Sequence, residues 1–153
     1  MPVTVSVNKL TVVHAGSNGT TIAFPDVCKT PTPAGPVPIP YPNVAKSSDT
    51  SKGASTITCD GNPVCVKDSN FSVSTGDEAG SAGGGVVSNK IKGKAEFVNF
   101  SFDVKFEGKN VPRALDLMLH NDKNTPPFPL LQGAGLALPP TCDEVCWCCL
   151  EAR

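Results

Sequence analysis

Residues 35–43 read GPVPIPYPN, with prolines at positions 36, 38, 40 and 42. Each proline fixes φ near −65° and removes a backbone donor, so this spacing enforces an extended, polyproline-like path. The stretch is excluded from a helix. It is also excluded from a central strand, because every second residue lacks the N–H that a ladder uses. With Pro31 and Pro33 added, the run from Lys29 to Asn43 reads as a stiff strut that displays Val37, Ile39 and Tyr41. Proline-rich stretches are commonly linkers or SH3-type ligands. Those sit in polar, low-complexity surroundings, whereas this one is flanked by apolar, β-prone sequence, and an ordered part of the fold is expected.

Outward from the strut, the patterns are those of short strands and turns. Val3, Val5 and Val7 alternate with Thr4 and Ser6, and Leu10 to Val13 resumes after Asn8-Lys9, which predicts strand, tight turn and strand. Ile22 to Phe24 adds a short piece before the strut. In STITCDGNPVCVK (55–67), Asp60-Gly61-Asn62-Pro63 separates two β-prone runs and predicts a hairpin, with Cys59 and Cys65 as cross-strand neighbours. VNFSFDVKF (98–106) places Val98, Phe100, Phe102, Val104 and Phe106 on one face, the signature of a half-buried strand with an aromatic inner face. After a turn at 107–110, Pro112 suits the first turn of a helix reaching His120, which would bury Val111, Leu115, Met118 and Leu119. The fold class expected is mainly β: short strands and hairpins, the proline strut and one short helix.

Composition bounds the function. The chain has 153 residues, 14 glycines, 15 prolines and a net charge of −1 with pI near 6.1. This length suits one domain, and the glycine and proline excess without a collagen period indicates many turns. Bulk electrostatics favour neither nucleic acid nor a membrane surface. Lys90, Lys92 and Lys94 alternate without interleaved aromatics and read as a solvated or edge-guarding face. The first 13 residues lack a basic n-region followed by an apolar core, and no apolar run is long enough to span a bilayer. Synthesis in the cytosol without a signal peptide is expected, so the seven cysteines start reduced.

Three groups of residues carry candidate chemistry. His14 and His120, the two histidines, form with Cys28 a candidate zinc-ligand set, although their spacing matches no local zinc signature and depends on the fold. The alternative is two hydrogen-bonded histidines and a buried apolar cysteine. The tail CDEVCWCC (142–149) supplies Cys142, Cys146, Cys148 and Cys149, which suit metal binding, oxidation or disorder equally. The glycine-rich STGDEAGSAGGGVVS (74–88) lacks the Gly-Lys-Ser/Thr ending of a phosphate loop and carries Asp77 and Glu78. Its glycines read as permitting tight bends or close backbone packing. No nucleophile is paired locally with a base, and neither a GxSxG elbow nor an HExxH motif is present. No enzymatic activity is expected.

Three stretches in order, FPDVCKTPTPAGPVPIPYPNVAKSSDTSKGA (24–54), STGDEAGSAGGGVVS and KGKAEFVNFSFDVKFEGKNVPRALDLMLHNDKNTPP (92–127), resemble the PAAR-like proteins with the PIPY signature at the tip of the type VI secretion spike. The resemblance implies a compact, cone-shaped domain over 1–127, followed by a proline-apolar segment and Cys-rich tail over 128–153. It implies a structural tip that caps and sharpens the trimeric valine-glycine repeat (VgrG) spike, one cap per trimer. Effector or adaptor proteins are further partners, with no nucleic acid and no stable membrane insertion. Localisation is then cytoplasmic at synthesis, followed by delivery outside the cell or into a target cell by the contractile machine. One asymmetric chain on a threefold spike implies an exposed apolar base. Pro38, Ile39, Pro40 and Tyr41 would form the rigid or partner-binding motif.

Related PAAR proteins hold zinc with three histidines and one cysteine. This chain has two histidines, so that set is not carried over intact, and His14, Cys28 and His120 are the expected ligands, ahead of the tail cysteines. Some family members continue into a C-terminal toxin domain. About thirty residues follow the expected helix here, too few for an independent enzyme domain. A stand-alone tip or a segment of a longer effector is expected. The rival reading is a small cysteine-rich metal-binding or redox protein that acts through its tail.

Overall fold

The computed structural model describes residues 3–132 and the short antiparallel pair Val145–Cys146 and Glu151–Ala152. The fold is mainly β, and among the described residues the one helical element is the 3-10 turn Ser47–Asp49. A hairpin of two long strands, Thr20–Thr32 and Gly35–Lys46, dominates. It closes through Pro33-Ala34, where Gly35 adopts φ +106° and the Thr32 hydroxyl donates to Gly35 O at 2.6 Å.

The proline strut is thus the second strand of this hairpin, paired along its whole length from Thr32↔Gly35 to Thr20↔Lys46. Alternate residues of an antiparallel strand direct their N–H groups to opposite neighbours. Prolines at every second position therefore strip donors from one edge alone and leave the ladder to Thr20–Thr32 intact. The other edge is bonded only at Val44 and Ala45, to Ser74–Thr75, beyond the last proline. The reading that excluded a central strand holds for the proline-bearing part, which is an edge.

From this hairpin an antiparallel sheet extends through Phe128–Leu131, Leu117–Leu119, Ala95–Phe97 and Asn70–Phe71 to Thr50–Ser51. Gly84–Gly85 also pairs with the first long strand, at Lys29 and Cys28. Phe128–Leu131 lies between two strands of the sheet, so the boundary expected at 127/128 falls inside the fold. The core behind the sheet includes Phe71, Phe97, Met118 and Leu130, with Phe71 and Phe97 edge-to-face at 5.7 Å. A second cluster, around Val12, Val64 and Val111, joins the N-terminal hairpin to the 58–63 hairpin. Both small hairpins form where the sequence predicts them. Asn8-Lys9 and Asp60-Gly61 are their two-residue turns, with positive φ at all four residues.

Three expectations are corrected. Residues 112–120 form no helix: Leu115 takes φ +69°, Asp116 binds back to the Arg113 N–H and guanidinium, and Leu117–Leu119 is a strand. No single strand runs over 98–106: Ala95–Phe97 ends before it, and within it only Lys105–Phe106 is a strand, paired with Lys109–Asn110. Ser101 is buried and turns the chain by hydrogen bonds to Asn8, Asp103, Asn110 and Val104, which leaves Phe102 90% exposed. Cys59 and Cys65 are not cross-strand partners, since Cys59 pairs with Asn62 and the two cysteines belong to different core clusters.

Candidate functional site

The site begins with a bulge. Between the pairs Ala23↔Asn43 and Asp26↔Tyr41, two residues, Phe24 and Pro25, stand opposite Pro42 alone. An extra residue reverses the alternation of a strand. Thr21 and Ala23 point inward before it, and Asp26 and Cys28 point inward after it. All four are fully buried, while Ile22 and Phe24 face outward, each 52% exposed.

Around Asp26 and Cys28 the chain gathers one polar side chain from each of several distant segments. Asn43, from the end of the proline strand, donates to Asp26 Oδ2 at 3.0 Å and to Ser74 Oγ at 2.9 Å. Asn121 and Asn124, from the turn after Leu117–Leu119, donate to Asp26 Oδ1. Asp77, from the glycine-rich loop, accepts the Lys92 N–H at 3.0 and 3.2 Å. The Cys28 thiol lies 3.5 Å from Asp26 Oδ1 and 3.8 Å from Asp77 Oδ2. Ligand atoms of Asp26, Cys28 and Asp77 all lie within 4.8 Å of one another, the one such group of three found among the described residues.

The glycines of the 74–88 loop let it close over this cluster. A Cβ on Gly80 would stand 2.2 Å from Cys28 Cβ, and one on Gly85 would stand 2.4 Å from the Asn124 side chain. Close backbone packing, rather than phosphate binding, is what these residues provide.

Electrostatics follow from burial. Burial, reinforced by the Asp26 and Asp77 carboxylates, pushes the Cys28 thiol up to about 12. Burial and the neighbouring Asp26 push Asp77 up to about 6. Burial holds His120 down at about 4, so it is neutral in the fold.

The expected ligands do not assemble. His14 Nδ1 accepts the Gly16 N–H at 3.0 Å, so Nε2 carries the proton and donates to Asp60 Oδ2 at 3.1 Å, beside the 58–63 hairpin. His120 Nε2 meets Thr21 Oγ1 at 3.1 Å and its Nδ1 is buried without a partner. Only Cys28 of the three stands in the metal-capable group, so the histidine-based set of related PAAR proteins does not fit this chain. Cys142, Cys148 and Cys149 lie outside the described residues, as does the side chain of Cys146. Of the PIPY motif, Pro38 and Pro40 are exposed, Ile39 and Tyr41 are half-buried, and the Tyr41 hydroxyl meets that of Thr30.

Sequence reasoning missed Asp26, Asn43, Asp77, Asn121 and Asn124. A usable signal existed in polar residues within apolar or glycine-rich surroundings. Their convergence depends on the bulge and on long-range pairing.

Comparison with known proteins places the chain. Residues 19–127 match the family model of the toxin PAAR-like domain. The chain is 47% identical over 138 residues to the DNase toxin Tse7 of Pseudomonas aeruginosa, an alignment covering 83% of this chain and 36% of that protein. The chain thus spans about a third of the length of this curated relative. No solved structure matches it. The relative overturns the expectation of no enzymatic activity, because it is a DNase toxin. All of the residues gathered at the buried cluster, from Asp26 to Asn124, fall within the matched segment, and the chain belongs to the toxin PAAR-like domain family.

Proposed function

We propose that this chain acts in an enzymatic effector of a type VI secretion system, seating on the trimeric valine-glycine repeat spike and delivering a DNase activity, with DNA as the substrate. The observation that carries the seating is the split character of the first long strand. Its inner face is fixed by the polar cluster, while its outer face presents Ile22 and Phe24, joined on the neighbouring strand by Leu131, 54% exposed. A contiguous exposed apolar face on a sheet is the signature of a protein contact. It supplies the apolar base that a cap on a threefold spike requires.

The long hairpin fits a mechanical role. Its prolines are already restricted in the unfolded chain, so ordering them costs less entropy. No helix among the described residues is long and apolar enough to cross a membrane. The protein is made in the cytosol and leaves with the contractile machine.

Two measurements test this reading. Light scattering of the purified chain mixed with the spike trimer should give one chain per trimer. DNA incubated with the full effector and a divalent cation should be degraded. Absence of the complex overturns the seating, and intact DNA overturns the nuclease assignment.

A further inference from the structure

The turn that leads into Leu117–Leu119 carries a residue its backbone disfavours. The Asp116 N–H donates to Arg113 O at 3.1 Å, and Leu115, but not Ala114, takes positive φ, at +69°. That combination is a type II turn, whose third residue is ordinarily glycine or asparagine, because a Cβ crowds the following carbonyl in the left-handed region. The other non-glycine residues with positive φ among the described ones are Asn, Asp, Lys and Glu, so Leu115 is the one apolar side chain held there.

The same residue opens a bulge. The Leu115 N–H donates to Leu130 O at 2.8 Å and the Leu130 N–H donates to Asp116 O at 3.0 Å, so Leu115 and Asp116 stand together opposite Leu130. This is the G1 pattern, whose first residue is again normally glycine. The surroundings hold the chain in that path. Asp116 accepts from the Arg113 N–H, Nε and Nη2 at 2.6, 3.0 and 3.0 Å, with both side chains largely buried, and the Ala114 N–H donates to Thr11 O at 2.8 Å. A conformation over-determined by its neighbours in this way does not need leucine at position 115 to form.

Nor does the core take up the side chain. Leu115 is 52% exposed, whereas Asp116 and Leu130 beside it are buried. Its backbone bond to Leu130 sets it next to Leu131, which is 54% exposed and pairs with Thr20 on the strand that carries Ile22 and Phe24. Leu117 and Leu119, both half-buried, alternate with the buried Met118. The apolar outer face of the long hairpin therefore continues across two further strands and reaches Leu115 at its margin. Backbone strain held in place by its surroundings concentrates at contact and ligand sites, and here it coincides with an exposed apolar side chain on a continuous apolar face.

We infer that Leu115 is an anchor of the spike contact, an apolar knob presented by a fixed turn at the edge of the seat and received by an apolar depression on the spike trimer. The inference rests on the seating proposed above and adds to it a residue outside the long hairpin. Because Arg113 and Asp116 fix the turn in the free chain, its backbone needs no ordering on binding, and a preorganised apolar anchor of this kind contributes more to a contact than its area alone suggests.

The test compares Leu115→Asn and Leu115→Met with wild type in the full chain, by melting temperature and by affinity for the purified spike trimer. Asparagine accepts the left-handed region and removes the apolar knob, whereas methionine keeps both the strain and the knob. Leu115→Asn should melt at or above the wild-type temperature yet bind the trimer at least tenfold more weakly, and Leu115→Met should keep wild-type affinity. A lowered melting temperature in Leu115→Asn would show that the side chain serves the fold, and would overturn the inference. Trimer affinity left unchanged by Leu115→Asn would overturn the anchor while the seating stands. Failure of the wild-type chain to bind the trimer would overturn the seating, and the anchor with it.

Discussion

Gly80 lies so close to Cys28 that a Cβ on the glycine would stand 2.2 Å from the Cβ of the cysteine. The clash would be with a fully buried side chain on the central hairpin, which has little room to yield. Overpacking of this kind costs about 1–3 kcal/mol. Gly80→Ala should therefore lower the urea midpoint by an amount corresponding to that range, with an unchanged m-value.

Asn43 satisfies Asp26 and Ser74 at once, and all three side chains are fully buried. Removing the amide leaves a buried carboxylate oxygen short of a donor, a loss of about 1–3 kcal/mol. Asn43→Ala should be destabilised by that amount in chemical denaturation.

Glu107 accepts the backbone N–H groups of Thr56 and Ser55, at 2.9 and 3.2 Å, and both of their hydroxyls. These bonds, that of the Thr56 N–H foremost, hold its carboxyl down at about 2. A depressed folded-state value stabilises the fold above the unfolded value, about 4.5, and the contribution is lost as pH falls toward 2. The urea midpoint of Glu107→Gln should lie below that of wild type at pH 7, with the gap closing between pH 4.5 and 2. A gap constant across that window would contradict the assignment.

The prolines at 36, 38 and 40 strip donors from the open edge of the long hairpin. Replacing all three with alanine restores a row of free N–H groups there, a template for edge-to-edge pairing. It also frees the unfolded chain, at about 0.4–1 kcal/mol per proline. The triple variant should melt lower and associate at concentrations where wild type is monomeric, as sedimentation velocity would report.

Local signals in the sequence were reliable where neighbours alone decide the backbone. Asn8-Lys9 and Asp60-Gly61 form their turns because both pairs tolerate positive φ. The PIPY stretch is extended for the same local reason. Failures came where distant partners override the pattern. The alternation of Phe100, Phe102 and Val104 suggested a buried face, yet Ser101 takes the interior because Asn8 and Asn110 bind it there. The spacing of Val111, Leu115, Met118 and Leu119 suited a helix, but Leu117–Leu119 is held as a strand by Ala95–Phe97 and Phe128–Leu131. At the buried cluster, Cys28 stands out in the sequence, whereas Asp26 and Asp77 do not. A bulge two residues upstream aims Asp26 inward, and glycine packing brings Asp77 to it. The expectation of no enzyme rested on the absence of short motifs, and the DNase relative corrects it.

On the proposed function, the outer apolar face of the hairpin seats this domain on the spike. The most direct measurement is the affinity of the chain for the purified spike trimer, before and after the double substitution Ile22→Asp and Phe24→Asp. Both residues are 52% exposed, so their replacement should leave the melting temperature nearly unchanged. One wild-type chain should bind per trimer, and the variant should lose at least a hundredfold in affinity. Equal binding by a folded variant would contradict the seating.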